Sequence, residues 1–256
     1  MAAPAGPLVV PAIPPGSGQL RLSLVVPTLN ERENIGDFLA AVRHTLDESI
    51  PGGYEVVVVD DDSPDRTWEV AAALMRGFPE LRVVRRQNEG GLAVAVMRGW
   101  QVARGAVLGT INADFQHPPD VLGRLLERMG DADLVVATRH GDGGGLGDWG
   151  MMRRISSWGA SRIGRVLLPG VHARLSDPLS GCYLVRRTAI QNIPMKPLGY
   201  KSLMEILVRG NIHKVAECGY EMRKRSRGQS KVHALHPFQY IRHVFRLRAA
   251  ARERRG

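Results

Sequence analysis

The chain has 256 residues, of which 44% are hydrophobic and 23% charged, a composition typical of a globular fold and unlike a fibrous or disulfide-stapled protein. Its apolar runs are shorter than the roughly 20 residues that span a bilayer, so we predict no transmembrane helix. The formal net charge of +10 is concentrated at one end, because residues 223–256 hold eleven Lys or Arg and one acid. This distribution favours contact with a localised anionic surface over a general nucleic-acid groove.

The beginning and the end of the chain differ in composition from the middle. Residues 1–19 are rich in Pro, Ala and Gly and lack the features of a secretory signal, so we predict a disordered extension there. A catalytic domain is expected over residues 20–232, and a basic amphipathic helix or tail over 233–256. Without an export signal, Cys182 and Cys218 are expected to be reduced core residues, which favours a cytoplasmic protein.

Apolar runs alternate with amphipathic stretches, a pattern that predicts an α/β fold built on a doubly wound, mainly parallel sheet. In chain order the pattern predicts a strand at 22–26, a helix at 31–46, a strand at 55–59, a helix at 66–78, a strand at 81–84, a helix at 92–103, a strand at 106–111, a helix at 118–129 and a strand at 134–137. The Gly-rich stretch 141–147 then interrupts the pattern and is interpreted as a loop and candidate lid. The last predicted elements are a helix at 153–167, a strand at 182–185, a helix at 202–208 and a strand at 216–222.

Polar side chains follow three of the predicted strands, in segments 27–31, 60–63 and 112–119. Ligands of open α/β sheets bind beyond the carboxyl ends of the strands, although each segment alone is explained by turn and cap chemistry. Carboxylates gathered at one sheet edge would repel each other unless a cation, a base or a ribose uses them. Asp114 and Gln116, two residues apart, suit oxygen ligation of a divalent ion that also holds a diphosphate.

Seven motifs occur in order at compatible spacing: VVPTLNERENI, EVVVVDDDSPDRTWE, NADFQHPPD, DLVVATRH, DPLSGCYLVRR, GYKSLMEILVRG and RSRGQSK. Over residues 23–232 the chain therefore resembles the dolichyl-phosphate mannosyltransferase branch of the inverting glycosyltransferases of family 2. The resemblance implies a GT-A type nucleotide-sugar fold. It also implies transfer of a sugar, most simply mannose from GDP-mannose, to a polyprenyl phosphate.

The resemblance also implies roles for individual residues. The donor-binding residues would be Pro27, Leu29, Glu31, Asp60, Asp61, Asn112, Ala113, Asp114, Gln116, Arg225 and Lys231. Asp114 and Arg225 would be catalytic, and Asn112, Asp114 and Gln116 would hold Mg²⁺ or Mn²⁺. The acceptor phosphate would be held by Arg139, Arg153 and Ser157.

Two positions depart from the family pattern. Leu29 stands where the family commonly has Tyr, and Asn112 stands at the first acidic position of the metal motif. An Asn carbonyl binds a divalent ion but carries no charge, so the expected metal affinity is weaker. Asp177, in another family motif, is interpreted either as a turn former or as a substrate contact.

The expected mechanism and partners follow from the charges of the two substrates. An acceptor phosphate is ionised near neutral pH, so it needs no dedicated base to act as the nucleophile with inversion. In the tail, Phe238, Ile241 and Phe245 recur at helical spacing among arginines, which fits either a helix on an anionic membrane surface or one packed on the domain. We expect a protein peripheral to the cytoplasmic membrane face, without nucleic acid, and leave a membrane-protein partner open.

Four other functions share some of these sequence features. A UDP-glucose-dependent polyprenyl-phosphate glucosyltransferase has the same architecture, and a degenerate homologue, suggested by Asn112 and Leu29, would bind nucleotide sugar without turnover. A dehydrogenase is disfavoured because no G-x-G-x-x-G follows the first strand. Nucleic-acid binding, suggested by the basic tail, would be visible as a salt-dependent shift on a gel.

Overall fold

A computed structural model describes residues 1–13, 20–140, 145, 173–227 and 236–253, with only the backbone for 236–240. The strands are β1 (Leu8–Val9), β2 (Leu22–Thr28), β3 (Tyr54–Asp60), β4 (Leu81–Arg85), β5 (Val107–Thr110), β6 (Leu134–Thr138), β7 (Tyr183–Arg186), β8 (Pro194–Met195) and β9 (Val215–Gly219). The helices are α1 (Arg32–Ser49), α2 (Thr67–Leu74), α3 (Leu92–Val102), α4 (Val121–Met129), α5 (Ser202–Arg209) and α6 (His236–Glu253). No helix within these residues is long and apolar enough to cross a bilayer.

Within the described residues, one seven-stranded sheet has the order β4-β3-β2-β5-β7-β6-β9. Every neighbouring pair is parallel except those that include β7, which runs antiparallel to both β5 and β6. The predicted doubly wound, mainly parallel α/β fold is confirmed. Because only β7 is reversed, the carboxyl ends of the other six strands and the start of β7 share one sheet edge, where ligands of such folds bind.

The sheet is buried because helices cover both of its faces. All seven residues of β2 and all seven of β3 are buried, as expected for Val-rich strands of a parallel sheet. Alternate residues contribute to two cores. Val25 packs with residues of α3, α5 and α6, whereas Val26 packs with residues of α1, α2 and α4. Each fully buried aliphatic side chain contributes about 1.5–3 kcal/mol, so the two cores stabilise the sheet from both faces.

The prediction of a disordered extension over residues 1–19 is wrong for residues 1–13. β1 pairs with β8, and the Met1 amino group donates to the Val83 carbonyl over 2.9 Å. Arg98 Nη2 donates to the Gly6 carbonyl and Arg187 Nη1 to the Pro11 carbonyl. A segment rich in Pro and Ala cannot build its own core, but its carbonyls still accept hydrogen bonds from a folded surface, and here they do.

Some predicted elements differ from those found. α2 ends at Leu74 rather than at residue 78, since Gly77 and Pro79 disfavour further helical turns. β9 ends at Gly219 rather than at residue 222. The predicted helix at 153–167 and all of the candidate lid except Gly145 lie outside the described residues. Cys182 and Cys218 are both free and buried, as predicted.

The C-terminal helix α6 packs on the domain through one of its faces. Val244 and Leu247 are fully buried against the core that includes α5, and His243 Nε2 lies 3.0 Å from Glu205 Oε2 of α5. The opposite face exposes Ile241 (37%) and Phe245 (56%). Packing on the domain therefore buries the inner face of α6 and leaves apolar side chains exposed on its outer face.

Candidate active site

A single arginine joins two carboxylates at the carboxyl edge of the sheet. Glu31 follows β2, Asp114 follows β5, and Arg225 follows β9. Arg225 Nη1 donates to Glu31 Oε1 over 3.0 Å, and its Nη2 donates to Asp114 Oδ2 over 2.9 Å. Three residues that the resemblance assigned to the donor site are thus brought into direct contact.

Backbone contacts place Arg225 beside the loop that follows β5. The Arg223 amide donates to the Gln116 carbonyl over 3.1 Å, and the Ser226 amide donates to the Asp114 carbonyl over 3.3 Å. Because the chain after β9 is attached on both sides of Arg225, the guanidinium has little freedom to leave the two carboxylates.

Asp114 is the buried acid of this group. Its side chain is 7% exposed, and one carboxylate oxygen also accepts the Gln116 amide over 3.1 Å. Burial raises the pKa of Asp114 above its usual value, the Arg225 charge opposes the rise, and the neighbouring Glu31 adds to it. The group therefore favours a cation near Asp114.

Two aspartates at the end of β3 have different environments. Asp60 is fully buried and accepts hydrogen bonds from Thr28 Oγ1 at 2.7 Å and from the amide and hydroxyl of Ser63 at 2.8 and 2.7 Å. Its oxygens are thus used to fasten the ends of β2 and β3. Asp60 is therefore buried and occupied by these contacts within the predicted donor site.

Asp61 is held by contacts that the sequence analysis did not identify. Arg86 Nε donates to Asp61 Oδ1 over 2.7 Å, and the Gly91 amide donates to Oδ2 over 3.0 Å. Gly91 has a φ of 106°, a conformation that side chains disfavour, and this places its amide toward Asp61. Burial raises the pKa of Asp61, while Arg86 opposes the rise. Arg86 lies two residues beyond the strand predicted at 81–84, so the rule that selected Asp60 and Asp114 would have found it.

Asn112 and His117, on either side of Asp114, have buried polar atoms without partners. Asn112 Oδ1 and both ring nitrogens of His117 have no hydrogen-bond partner in the described part of the chain. Burial, followed by the Arg139 charge, lowers the pKa of His117 to about 3, so the imidazole is neutral. Gly181 lies against both side chains, since a Cβ there would be 2.8 Å from Asn112 Nδ2 and 3.5 Å from His117 Cε1.

These atoms allow a test of the predicted metal site. An unpaired buried amide oxygen at Asn112 beside the Asp114 carboxylate suits a hard divalent ion, which prefers oxygen ligands. No cluster of three His, Cys, Asp or Glu that could hold an ion occurs among the described residues. The oxygen ligands that the protein offers thus fit an ion that the donor diphosphate also binds better than an ion held by the protein alone.

Arg139 is committed to a second ion pair. Its Nε and Nη2 donate to the two Asp177 oxygens over 2.6 and 2.8 Å, and both side chains are less than 10% exposed. Burial opposes ionisation of the pair, but these bonds hold the pKa of Asp177 low and that of Arg139 high. Asp177 is therefore the partner of Arg139, a role that neither interpretation from the sequence included.

The remaining predicted site residues differ in their exposure to solvent. Pro27 is buried within β2, Ala113 is buried in a core, Leu29 is 37% exposed at the edge, and Gln116 is half-buried. The acceptor residues Arg153 and Ser157 and the donor residue Lys231 lie outside the described residues.

Comparison with known proteins identifies the family. The model of glycosyl transferase family 2 matches residues 23–193, which include β2 through β7 and most of the site. The chain belongs to glycosyl transferase family 2.

Relatives within family 2 agree with the branch that the motifs indicated. A dolichol-phosphate mannosyltransferase of Pyrococcus furiosus is 40% identical over 230 residues, covering 89% of this chain. An undecaprenyl-phosphate mannosyltransferase of Micrococcus luteus is 31% identical over 221 residues, covering 83% of this chain and 88% of its own length. The chain spans 64% of the length of the Pyrococcus relative. The predicted resemblance to this branch is confirmed.

A solved structure with a similar fold supports the architecture. Glucosyl-3-phosphoglycerate synthase from Mycobacterium tuberculosis, crystallised with Mn²⁺, UDP-glucose and phosphoglyceric acid, superimposes with a TM-score of 0.64 at 23% identity. The match covers 90% of this chain and 79% of the neighbour, so the GT-A type architecture predicted for this family 2 chain is confirmed.

Proposed function

We propose that this protein transfers a sugar from a nucleoside diphosphate to a polyprenyl phosphate with inversion, and that the donor is GDP-mannose. The observation that carries the proposal is the contact of Arg225 with Glu31 and Asp114 at the carboxyl edge of a family 2 sheet. The relatives that act on dolichol phosphate or undecaprenyl phosphate support a polyprenyl phosphate as the acceptor.

The donor site has one side for the nucleoside and one for the diphosphate. Asp61 accepts hydrogen bonds at the end of β3, and its carboxylate suits an N–H of a base or a ribose hydroxyl. Arg225, whose side chain is 20% exposed, supplies positive charge where the diphosphate leaves. Lys231 from the same motif would supply a second cation.

The reaction needs placement and charge neutralisation more than proton transfer. An oxygen of the acceptor phosphate forms the new bond to the anomeric carbon, and the bond to the diphosphate breaks with its electron pair leaving on the nucleotide. Because the acceptor is ionised near neutral pH, no side chain has to remove a proton. Arg225 stabilises the charge that develops on the leaving diphosphate, and preorganised cations of this kind are worth roughly 10²–10³ in rate. Arg139, Arg153 and Ser157 would hold the acceptor phosphate, Arg139 through its fixed position beside Asp177.

A divalent ion, Mg²⁺ or Mn²⁺, completes the proposed donor site. Asn112, Asp114 and Gln116 would hold it, and it would supply further positive charge to the diphosphate. The unpaired Asn112 Oδ1 supports this assignment. Crystals of a fold neighbour with Mn²⁺ are consistent with it.

The donor and the acceptor are tested together. Purified protein is incubated with radiolabelled GDP-mannose or UDP-glucose, a polyprenyl phosphate, and Mg²⁺ or Mn²⁺. We expect label in the organic phase with GDP-mannose alone. Label with UDP-glucose alone would instead identify a glucosyltransferase, and label with neither donor would contradict the proposed activity.

A degenerate homologue that binds nucleotide sugar without turnover is the second candidate, and Asn112 at the first acidic position favours it. The same incubation separates the two when GDP binding is measured by calorimetry in parallel. Binding without any lipid-linked product identifies the degenerate homologue, whereas binding with product identifies the enzyme.

We also propose that the outer face of α6 rests on an anionic membrane at its cytoplasmic side. Ile241 and Phe245 are exposed beside the exposed Arg242 and Arg246, so apolar and cationic groups lie on one side of the helix. Such a face suits the boundary between anionic headgroups and acyl chains. A lipid-linked acceptor gives the protein a reason to remain at that boundary.

A further inference from the structure

Lys201 occupies a partly buried position near Arg139, one of the proposed acceptor residues. It directly precedes α5, and its Nζ donates to the Leu179 carbonyl over 2.7 Å. The same ammonium lies 4.5 Å from the centroid of the Tyr200 ring. The carbonyl uses one of the three N–H groups of Lys201 and leaves two for other acceptors.

Lys201 lies near a second cation, Arg139. Arg139 is paired through two hydrogen bonds with Asp177, the carboxylate that influences both cations. Lys201 itself forms no ion pair with a carboxylate within the described ranges. Among the described residues, Asp177 is thus a carboxylate that pairs with Arg139 and also raises the pKa of Lys201. Burial first, and then the Arg139 charge, lower the pKa of Lys201 to about 8, and Asp177 opposes the change.

A buried cation in excess is costly unless an anion accompanies it. A phosphate monoester carries about −1.5 to −2 charges near neutral pH and has three acceptor oxygens. It therefore matches both the positive charge of Lys201 and the N–H groups that the Leu179 carbonyl leaves unused.

The surroundings connect this cation to the donor site. Lys201 is bonded to the loop of residues 177–181, and Gly181 of that loop lies against Asn112 and His117. His117 stacks on Tyr220 with ring centroids 4.7 Å apart and keeps both ring nitrogens unpaired within the described residues. An anion on Lys201 would thus lie near the loop of residues 177–181, which packs against the segment that carries Asp114.

We infer that Lys201 binds the acceptor phosphate directly, in addition to Arg139, which Asp177 of the loop of residues 177–181 holds in place. The inference rests on the proposed function and adds a residue that neither the motifs nor the relatives had assigned to the acceptor. Lys201 stays protonated throughout the transfer of the sugar. It offsets the repulsion between the acceptor phosphate and the donor diphosphate while the new bond forms.

The test compares Lys201→Gln with Lys201→Arg and with Lys196→Gln, an exposed lysine five residues earlier in the chain. We expect Lys201→Gln to raise the KM for polyprenyl phosphate about 10- to 100-fold, the usual worth of a hydrogen bond to a charged group. Its affinity for GDP should change less than about twofold. Lys201→Arg should recover much of the acceptor affinity, and Lys196→Gln should behave as the wild type.

A direct binding measurement separates this inference from the proposed function. Farnesyl phosphate and farnesol are titrated into each folded variant by calorimetry, with thermal denaturation as the check on folding. If wild-type protein binds the phosphate in preference to the alcohol and Lys201→Gln loses that preference, the inference is supported. Equal preferences in both proteins overturn it even when turnover is normal. Normal phosphate preference without any glycosyl transfer instead contradicts the proposed function and leaves the role of Lys201 as a phosphate ligand supported.

If Lys201→Gln fails to fold, Lys201→Met keeps the apolar stem and is measured in the same way. Retention of the phosphate preference by Lys201→Met overturns the inference.

Discussion

Arg225 and Glu31 are 194 positions apart in the sequence, yet Arg225 Nη1 lies 3.0 Å from Glu31 Oε1. The other end of the same guanidinium contacts Asp114, so the segment after the last strand of the sheet closes a site begun by the first long strand. This arrangement makes the proposed donor site depend on strands from both halves of the sheet.

Replacing Arg225 with Gln should lower kcat/KM for the nucleotide sugar about 10²–10³-fold, because the leaving diphosphate loses a fixed cation. The affinity for polyprenyl phosphate should change much less. Steady-state kinetics with each substrate varied in turn measure both effects. The matched control is Arg223→Gln, since Arg223 is 60% exposed and lies 3.8 Å from an exposed Asp120. Equal losses in the two variants would contradict the role of Arg225.

Replacing Asn112 with Asp should lower the Mn²⁺ concentration needed for half-saturation in the presence of GDP by about tenfold, or roughly 1.4 kcal/mol, because a charged ligand replaces a neutral one. Electron paramagnetic resonance of free Mn²⁺ measures this binding without turnover. The control is Asn192→Asp, because Asn192 is exposed and lies just before β8, outside the proposed site. Unchanged or weaker binding in Asn112→Asp would remove residue 112 from the metal site.

Replacing Asp177 with Asn should destabilise the protein by about 3–5 kcal/mol at pH 7, because it removes the carboxylate that pairs with the buried Arg139. The pKa of Asp177 is lowered in the folded state, so the pair stabilises the fold above the usual value of 3.8 and loses this effect as the pH falls through the lower folded pKa. The difference between wild type and variant should therefore shrink below about pH 3.8.

Urea denaturation at several pH values measures this difference. The control is Asp131→Asn, which removes an exposed ion pair with Lys214 and should have no measurable effect. A difference between wild type and Asp177→Asn that stays constant down to the lowest pH would mean that ionisation of Asp177 is not its source.

Replacing Ile241 and Phe245 together with Ser should weaken sedimentation with anionic vesicles by about tenfold or more, because each side chain contributes apolar area at the membrane boundary. The double variant keeps the buried contacts of Val244 and Leu247, whereas removal of residues 237–256 would also disturb the core. Leu74→Ser, at another exposed apolar residue far along the chain, is the control. Unchanged vesicle binding by the double variant would exclude the outer face of α6.

Raising the pH through about 8 should lower kcat/KM for polyprenyl phosphate in the wild type, because Lys201 carries its charge below its pKa and loses it above. The groups that face it are Arg139, which stays charged, Asp177, which is already ionised, neutral His117 and the Tyr200 ring. Lys201→Arg should remove the decline, since a guanidinium stays protonated over this range. A decline that persists in Lys201→Arg would assign the titration to another group.

Much of the fold could be predicted from local patterns. Apolar runs predicted strands β2 to β6 within a few residues, and the amphipathic periodicity of residues 31–46 predicted α1. The reversal of β7 could not be predicted in this way, because a buried strand has the same composition in either direction. The ordered N-terminal segment was missed because its hydrogen bonds come from Arg98 and Arg187, which are distant in the sequence.

For the site, the sequence by itself determined which chemical groups are present: the acids at the ends of β2, β3 and β5, the arginine of the last motif, and an amide in place of the first metal-site acid. Only the tertiary structure decided how these groups are paired. It joined Arg225 to Glu31 and Asp114, gave Arg139 to Asp177, turned Asp60 inward, and left Lys201 without a carboxylate of its own among the described residues. The physical reason is that charge pairing depends on distances of a few ångströms across strands, and linear order does not contain those distances.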